Sequence, residues 1–246
     1  MWRNLATLSL AFLIPAAACG PQVSDDSPAS GRQVLPARVA VRSTVSKPVP
    51  AVASKAKVVF LGDSLTAGLG LAEDEAYPAL IERELRNEGA PVQVINAGVS
   101  GDTTAGGLSR LGWLLGQHPD VVVVALGAND GLRGLPLSEI ETNLREIVRR
   151  SKAAGARVLL VGMRMPPNYG PYADDFAALY PRLAKELDVS LVPFLLAGVG
   201  GIRGLNQADG IHPTAEGQEI VAKNVLPYLE RTLTEMNPKD AAAAVQ

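Results

Sequence analysis

The sequence predicts an α/β protein with three layers, in which helices cover both faces of a five-stranded parallel sheet. Two observations predict this class. Five short apolar runs alternate along the chain with longer segments whose apolar residues recur at helical spacing. The runs are continuous in Val and Leu, which is typical of strands that are buried on both faces of a parallel sheet.

The five predicted strands lie between residues 56 and 231. They read, in order, KVVFL, VQVIN, VVVVAL, RVLLVG and SLVPF. The clearest helix between them is predicted from Ser138 to Ala154, where Ser138 and Glu141 match a capping box and Gly155 follows as a stop signal. Right-handed crossovers between parallel strands leave few alternative topologies for such an order.

The length of 246 residues fits one domain with appendages. We expect this domain at residues 56–234. A signal peptide at 1–18 and a flexible tether at 19–55 precede it, because the tether is rich in Pro, Ser, Val and Ala and has no sustained period. The tail at 235–246 ends in AAAAVQ and is expected to be disordered.

The first residues indicate export. Arg3 precedes an apolar stretch at residues 5–18 that is too short to span a bilayer, which is typical of a secretory signal. Cys19 is the only cysteine, so no internal disulfide is possible, and its position resembles the acceptor of a bacterial lipoprotein signal. This favours a periplasmic lipoprotein anchored to the outer membrane. The alternative is that Cys19 is removed with the signal or remains as a free thiol.

The charge pattern argues against several classes of partner. The net charge is −2, the isoelectric point is near 5.8 and no dense Lys/Arg cluster occurs, so nucleic acid is not an expected partner. No Gly-Lys-Ser/Thr phosphate loop is present, and the two histidines do not have the spacing of metal ligands. We therefore expect neither a metal nor an organic cofactor, and membrane contact only through the N-terminal anchor.

The segments that follow the predicted strands carry the chemistry-bearing residues. The site of an open α/β sheet lies at the carboxyl ends of its strands. His118 precedes the third strand and so belongs to the opposite edge, whereas His212, in ADGIHPTAEG after the last strand, is a candidate base. Asp209 lies three residues before it, close enough to orient the imidazole. A plain surface turn would also accommodate this pair.

Ser64 follows the first predicted strand in GDSLTAG, where a turn into a helix would expose its hydroxyl. Gly101 follows the second strand and offers a backbone N–H without a side chain, and Asn129 follows the third and offers an amide donor. With the Ser64 N–H they would form an oxyanion hole. Taken singly, each also suits an ordinary turn or cap.

Four stretches resemble, in order, the four sequence blocks of the GDSL/SGNH hydrolases: FLGDSLTAG, NAGVSGDTT, LGANDGLRG and DGIHP. RMPPNYG and YPRLAKELDVSLVPF are similar to the branch with acyl-CoA thioesterase/lysophospholipases and arylesterases. The resemblance implies a flavodoxin-like fold, a triad of Ser64, Asp209 and His212, and an oxyanion hole completed by Gly101 and Asn129. It implies hydrolysis of aryl esters, short to medium acyl thioesters and lysophospholipids. Ala128 departs from the family pattern, since many relatives have Gly there.

The substrate side is expected in two loops. Leu132, Met165, Pro166 and Tyr169 lie near the predicted site and suit an apolar groove for short to medium acyl groups, although loop packing alone would also explain them. Two other functions are compatible with the fold. One is deacetylation of envelope polysaccharide or peptidoglycan, and the other is non-catalytic binding of lipid or glycan by a tethered protein.

Overall fold

The computed structural model describes residues 55–90 and 92–235. The predicted signal peptide at 1–18 lies outside the described residues. So do Cys19, the rest of the tether up to residue 54, and the tail from residue 236 onward. Within the described part of the chain, no helix has the length and apolarity needed to cross a membrane.

Five parallel strands form the central sheet in the order β2-β1-β3-β4-β5, which confirms the predicted class. The strands are β1 (Ala56–Gly62), β2 (Val92–Gly98), β3 (Val121–Ala125), β4 (Arg157–Val161) and β5 (Ser190–Val192). Gly62 at the end of β1 pairs with Gly98 of β2 and with Ala125 of β3. Strands β1, β2 and β3 therefore end level with one another, and the segments after them start from the same edge.

Seven α-helices and two 3₁₀ turns accompany the described strands. They are α1 (Ser64–Ala67), α2 (Tyr77–Asn87), α3 (Thr104–Leu115), α4 (Ala128–Leu132), α5 (Leu137–Ala153), α6 (Pro171–Leu187) and α7 (Ala215–Thr234), with 3₁₀ turns at Glu73–Glu75 and Pro167–Tyr169. Helices α2 and α7 pack together on one face of the sheet, and α5 packs between α3 and α6 on the other. The sheet is thus covered on both sides.

The burial of the strands in the core explains why the sequence of each central strand is a continuous apolar run. Side chains of β3 are buried along its whole length, as are those of β1 from Val58 onward and those of β4 from Val158 onward. Burying each such aliphatic side chain contributes about 1.5–3 kcal/mol. Edge strand β2 is only partly buried. The most strongly apolar runs are therefore the ones that lie between two other strands.

Two details of the predicted elements are wrong. Helix α5 begins one residue before Ser138, with Pro136 as its N-cap residue, and no side-chain cap forms. Glu141 is instead ion-paired with Arg182 of α6, so the expected capping box is absent from this helix. Gly155, in left-handed conformation at φ 88°, does follow the end of the helix. The proline explains the earlier start, because its fixed φ suits the entry to a helix.

The fifth strand is shorter than predicted. It ends at Val192, before Pro193 and Phe194. Proline has no N–H to donate to a sheet ladder, so it ends the strand. Phe194 therefore belongs to the loop over the carboxyl edge of the sheet.

A close contact joins β2 to the short helix α1. A Cβ atom at Gly98 would overlap the backbone of Thr66 and Ala67, so only glycine allows the strand and the helix to approach this closely. Two residues earlier, the side-chain amide of Asn96 donates to the Thr66 carbonyl at 2.9 Å. The end of β2 thus fixes the position of α1, which begins with Ser64.

Candidate active site

Ser64 is the first residue of α1 and comes two residues after the end of β1. The side chain of Asp63 caps this helix by accepting a hydrogen bond from the Leu65 N–H at 3.0 Å. Gly68, in left-handed conformation at φ 73°, ends the helix after a single turn. The chain therefore passes from a buried strand into a tight turn that carries the serine at the carboxyl edge of the sheet.

Buried polar side chains hold α1 from two directions. The Thr66 hydroxyl lies 2.9 Å from the Tyr77 hydroxyl, and both groups are buried. The side-chain amide of Gln218 donates to the Leu65 carbonyl at 3.2 Å, and its oxygen accepts from the Tyr77 N–H at 3.0 Å. Gln218 belongs to α7, the helix that follows the candidate histidine. The serine turn and the histidine segment are therefore tied together through the core.

Ser64, His212 and Asp209 form a continuous hydrogen-bonded chain. His212 Nε2 lies 2.8 Å from Ser64 Oγ, and His212 Nδ1 lies 2.6 Å from Asp209 Oδ2. An ionised carboxylate only accepts hydrogen bonds, so Nδ1 must donate to Asp209. Nε2 is then free to accept the Ser64 hydroxyl proton. The structure thus brings together the three residues in the geometry that a nucleophile, a base and an orienting acid require.

Asp209 is ionised through most of the accessible pH range. Its pKa is lowered to about 2, mainly by the backbone N–H of His212, then by the His212 side chain and by the backbone N–H of Ile211. These two backbone groups donate to Asp209 Oδ1 at 3.0 and 2.9 Å. One carboxylate oxygen therefore shapes the turn, while the other faces the imidazole.

The segment that carries His212 is closed by Gln207. The Gln207 N–H donates to the His212 carbonyl at 2.7 Å. Its side-chain amide donates to the Pro213 carbonyl at 3.0 Å and to the Leu69 carbonyl, just after α1, at 2.7 Å. The same residue therefore shapes the histidine turn and links it to the serine turn.

Two of the predicted oxyanion donors lie in neighbouring loops, and Asn129 contacts Asp63, the residue before Ser64. Gly101 has φ 80°, a conformation that favours glycine, and its carbonyl accepts from Arg133 at 3.0 Å. Asn129 Nδ2 donates to the Asp102 carbonyl at 2.9 Å, next to Gly101. No described residue accepts from the backbone N–H of Ser64 or of Gly101. Both groups are therefore available to a bound oxygen atom.

Asp63 is a buried carboxylic acid beside the serine, and sequence reasoning assigned it no role. It is 1% exposed, and burial raises its pKa to about 6 although the Leu65 N–H and His212 oppose this shift. Its Oδ2 also lies 3.3 Å from Asn129 Nδ2. Asp63 thus connects the serine turn to the amide predicted to bind an oxyanion. The local sequence carries no signal for this contact, because the partners are 66 residues apart.

An apolar groove of about 410 Å³ opens beside the hydrogen-bonded serine and histidine. Leu65 and Ile211, their direct sequence neighbours, form part of its wall. Three residues predicted to bind substrate also line it: Leu132, Met165 and Pro166. The groove places an apolar surface within reach of Ser64.

The other wall of the groove comes from residues that sequence reasoning missed. They include Phe194, Leu196 and Arg164, whose guanidinium carbon lies 5.1 Å from the centre of the Phe194 ring. The sequence predicts a strand over the apolar run SLVPF, which leaves Phe194 out of the predicted site. Tyr169, also predicted to bind substrate, is not among the lining residues. Its hydroxyl donates to the Leu132 carbonyl at 3.0 Å and so holds the neighbouring loop.

The comparison with family models agrees with this geometry. Residues 60–220 match the model of the GDSL-like lipase/acylhydrolase family. The chain belongs to this family. The match covers β1 to the first part of α7 and includes Ser64, Gly101, Asn129 and His212. Ala128, the departure from the family pattern, lines the apolar groove.

Individual GDSL-family proteins are similar to most of this chain. Esterase TesA of Pseudomonas aeruginosa is 45% identical over 178 residues, which cover 72% of this chain and 89% of that protein. Thioesterase 1/protease 1/lysophospholipase L1 of Escherichia coli K12 is 45% identical over 167 residues, covering 67% and 79%. A crystal structure of TesA, 44% identical, matches with a TM-score of 0.70 and covers 72% of this chain and 99% of that one.

The burial of Asp63 predicts a pH-dependent cost to stability. Its pKa is about 6 in the folded protein against an ordinary value of 3.8, so the folded state retains a proton that the unfolded state releases between these values. Stability from this group therefore falls as pH rises from about 4 to 6, by about 3 kcal/mol in total. We expect Asp63→Asn to remove this dependence. Thermal melting of both proteins from acid to neutral pH measures it.

The informative quantity is the difference in melting temperature between Asp63→Asn and the unsubstituted chain. It should rise with pH and level off above about 6, even if lost hydrogen bonds add a constant offset. A difference that is flat across this range would contradict a raised pKa of Asp63.

Proposed function

We propose that this chain is a serine ester hydrolase that works through an acyl-enzyme, with Ser64 as the nucleophile, His212 as the base and Asp209 as the orienting acid. One observation carries the proposal: the hydrogen bond of 2.8 Å between Ser64 Oγ and His212 Nε2, with Asp209 on the far side of the ring. Nucleophile, base and acid thus stand in the order that acyl transfer needs.

The first half of the reaction acylates the serine. Ser64 Oγ attacks the carbonyl carbon of the ester while its proton passes to His212 Nε2, and the carbonyl oxygen becomes an oxyanion. Asp209, whose pKa is lowered to about 2, is ionised and stabilises the imidazolium that forms. When the tetrahedral intermediate collapses, the bond to the leaving oxygen or sulfur breaks. His212 then gives its proton to the leaving group.

The second half releases the acid. A water molecule attacks the acyl carbon and transfers a proton to His212 Nε2. The second tetrahedral intermediate breaks the bond to Ser64 Oγ, which takes the proton back. Overall, one ester or thioester and one water give one carboxylic acid and one alcohol or thiol. No cofactor takes part in these steps.

The oxyanion is assigned to three donors: the N–H groups of Ser64 and Gly101 and the side-chain amide of Asn129. The two backbone groups make no hydrogen bond to a described residue, which supports this role. Asn129 Nδ2 has two hydrogens, which donate to the Asp102 carbonyl at 2.9 Å and to Asp63 Oδ2 at 3.3 Å. An oxyanion would replace the longer of these two bonds, whereas the two backbone N–H groups are already free and fixed.

The substrate is assigned to acyl esters and thioesters with short to medium apolar acyl groups. The groove that opens beside Ser64 has walls that are apolar apart from Arg164, which suits an acyl chain better than a sugar. The names of the relatives are consistent with this substrate class, as one is an esterase and another is a thioesterase and lysophospholipase. Deacetylation of a polysaccharide has no comparable support in the lining of the groove.

We also propose that the protein is exported. The N-terminal pattern of Arg3, an apolar stretch and Cys19 supports secretion and lipidation, with residues 19–55 as a tether to the outer membrane. The catalytic domain would then act in the periplasm at a short distance from the lipid surface.

Substitutions should separate the three catalytic roles. Ser64→Ala and His212→Asn should each lower kcat for an aryl ester by about 10⁴-fold or more, because nucleophile and base act as one unit. Asn129→Ala should lower kcat by about 10²–10³-fold with a much smaller change in KM. A fluorophosphonate probe should label Asn129→Ala slowly and should not label Ser64→Ala, because the hydroxyl that it phosphonylates is gone.

His118 provides the matched control. It is the second histidine of the chain, exposed in the turn before β3 and in left-handed conformation at φ 52°, which asparagine tolerates. His118→Asn should keep full activity. Wild-type turnover by purified Ser64→Ala, or an equal loss in both histidine variants, would refute the assignment.

Lipidation is tested at Cys19. The wild-type protein should fractionate with the envelope membranes, because several acyl chains at about 0.8 kcal/mol per buried CH₂ give stable anchoring. Cys19→Ser should release the domain into the soluble periplasmic fraction or stall its processing, as followed by fractionation and intact-mass measurement. A Cys19→Ser protein that is correctly processed and still entirely membrane-bound would rule out the lipid anchor.

A further inference from the structure

The ion pair between Arg110 and Asp102 is more enclosed than the other arginine–carboxylate pairs of the described chain. Arg110, on α3, donates from Nε to Asp102 Oδ2 at 2.8 Å, and the two side chains are 23% and 11% exposed. The arginines of the other pairs are 40–66% exposed. Taking both charges out of water costs desolvation, so such a pair is weak evidence for a stabilising role. Its role is better explained by what the two side chains hold in place.

Arg110 contacts the end of β1 as well as Asp102. Its Nη2 donates to the Gly62 carbonyl at 2.9 Å, while Nε binds the carboxylate. Gly62 is the last residue of β1, and Ser64 follows two residues later. The guanidinium group is a planar fork with several donors, so it fixes both the distance and the angle between its two partners. One side chain thus connects the serine turn to the loop after β2.

Asp102 in turn fixes the turn that carries Gly101. The Asp102 N–H donates to the Val99 carbonyl at 3.0 Å and closes a β-turn, in which Gly101 has φ 80°. The Asp102 carboxylate lies against Gly106 in the first turn of α3, where a Cβ atom would overlap Asp102 Oδ1. The Gly101 N–H, a proposed oxyanion donor, therefore belongs to a turn whose last residue is held against α3.

The same aspartate also holds the third proposed donor. The backbone carbonyl of Asp102 accepts from Asn129 Nδ2 at 2.9 Å. Asn129 belongs to α4, after β3, so the segments that follow three neighbouring strands meet at this ion pair. The Gly62 carbonyl also accepts from the Val99 N–H at 3.0 Å, which joins the first two of these segments directly. Each proposed donor therefore contacts Asp102 or lies within two residues of a group that Arg110 binds.

We propose that Arg110 and Asp102 are positioning residues for the oxyanion hole. Their ion pair sets the spacing of the Ser64 N–H, the Gly101 N–H and the Asn129 amide. This role depends on the proposed ester hydrolysis at Ser64. Donors stabilise an oxyanion only if they lie about 2.7–3.1 Å from its position, so a shift of one loop weakens several hydrogen bonds at once. The ground-state ester carries no such charge, so loss of the pair should slow the chemical step and leave substrate binding almost unchanged.

The test compares Arg110→Gln and Arg110→Lys in the full chain. Glutamine removes the charge and the fork, whereas lysine keeps the charge but offers one ammonium group in place of the fork. Arg149→Gln is the matched control, because Arg149 also binds a carboxylate through two nitrogens but lies exposed on α5. Two quantities are measured for each protein: steady-state turnover of p-nitrophenyl butyrate, and inhibition by butylboronic acid. The boronic acid becomes a tetrahedral anion when the serine oxygen adds to boron and the serine proton passes to the histidine.

We expect Arg110→Gln to lower kcat by about 10–100-fold and to change KM by less than about twofold. Inhibition by butylboronic acid should weaken by a similar factor, because its adduct places an oxygen of the boronate anion in the oxyanion hole. Arg110→Lys should recover part, but not all, of both losses. Arg149→Gln should behave like the wild type in both measurements.

The boronate measurement separates positioning from a folding defect. A purely structural loss would lower the fraction of active molecules, as thermal melting also shows, but the remaining molecules would bind the boronate with unchanged affinity. An unchanged inhibition constant in Arg110→Gln, or its full kcat, would overturn the proposal while the assignment of Ser64 stands. If Arg110→Gln does not fold, full activity of Arg110→Lys would contradict the need for a fork. Wild-type turnover by Ser64→Ala would instead refute the proposed ester hydrolysis, and this role with it.

Discussion

The hydrogen bond between Ser64 Oγ and His212 Nε2 joins two residues that are 148 positions apart. It forms only if the end of the first strand and the segment before the last helix meet within 2.8 Å. The parallel sheet brings both to one edge, and side chains complete the approach. Gln218 anchors the serine turn from α7, and Gln207 ties the histidine turn to the Leu69 carbonyl. Much of the polar network around the site therefore keeps Ser64 Oγ within hydrogen-bonding distance of His212 Nε2.

The buried carboxyl group of Asp63, beside the proposed nucleophile, lowers stability and at the same time orders the site. Asp63 lies in a position where burial raises its pKa to about 6, so an ionised form at neutral pH costs stability. In return, its two oxygens accept from the Leu65 N–H and from Asn129 Nδ2. One side chain therefore holds both the serine turn and the amide of Asn129, the proposed oxyanion donor. A buried charge that lowers stability at a functional site is typical of enzymes, in which stability is lost where side chains are preorganised for the reaction.

Most of the fold was predictable because its strongest signals are local. The central strands are buried on both faces and so are continuous in Val and Leu, and parallel pairing then placed the loops of Ser64, Gly101, Asn129 and His212 at one edge. The element ends were less predictable. Pro136 moved the start of α5 and Pro193 ended β5, since local backbone chemistry overrode the apolar pattern there.

The surroundings of the site were not predictable, because they depend on long-range contacts between residues with ordinary local patterns. Nothing in the local sequence distinguishes Asp63 from a turn residue, because its contact with Asn129 joins residues 66 positions apart. Gln218 is one polar residue in an amphipathic helix, and Phe194 ended an apolar run. Tyr169 was expected in the groove, yet its hydroxyl instead holds the Leu132 carbonyl. The sequence blocks predict the reacting groups, and the packing between these blocks decides how those groups are held.

The proposed oxyanion hole places Ser64, Gly101 and Asn129 around one oxygen-binding point beside the apolar groove. Its most direct test is a crystal structure of the protein after reaction with an alkylphosphonate ester. We expect a covalent bond from phosphorus to Ser64 Oγ and a phosphonyl oxygen about 2.7–3.1 Å from the two backbone nitrogens and the Asn129 amide. The alkyl group should lie in the groove. An adduct on another residue, or a phosphonyl oxygen that points away from these donors, would contradict the claim.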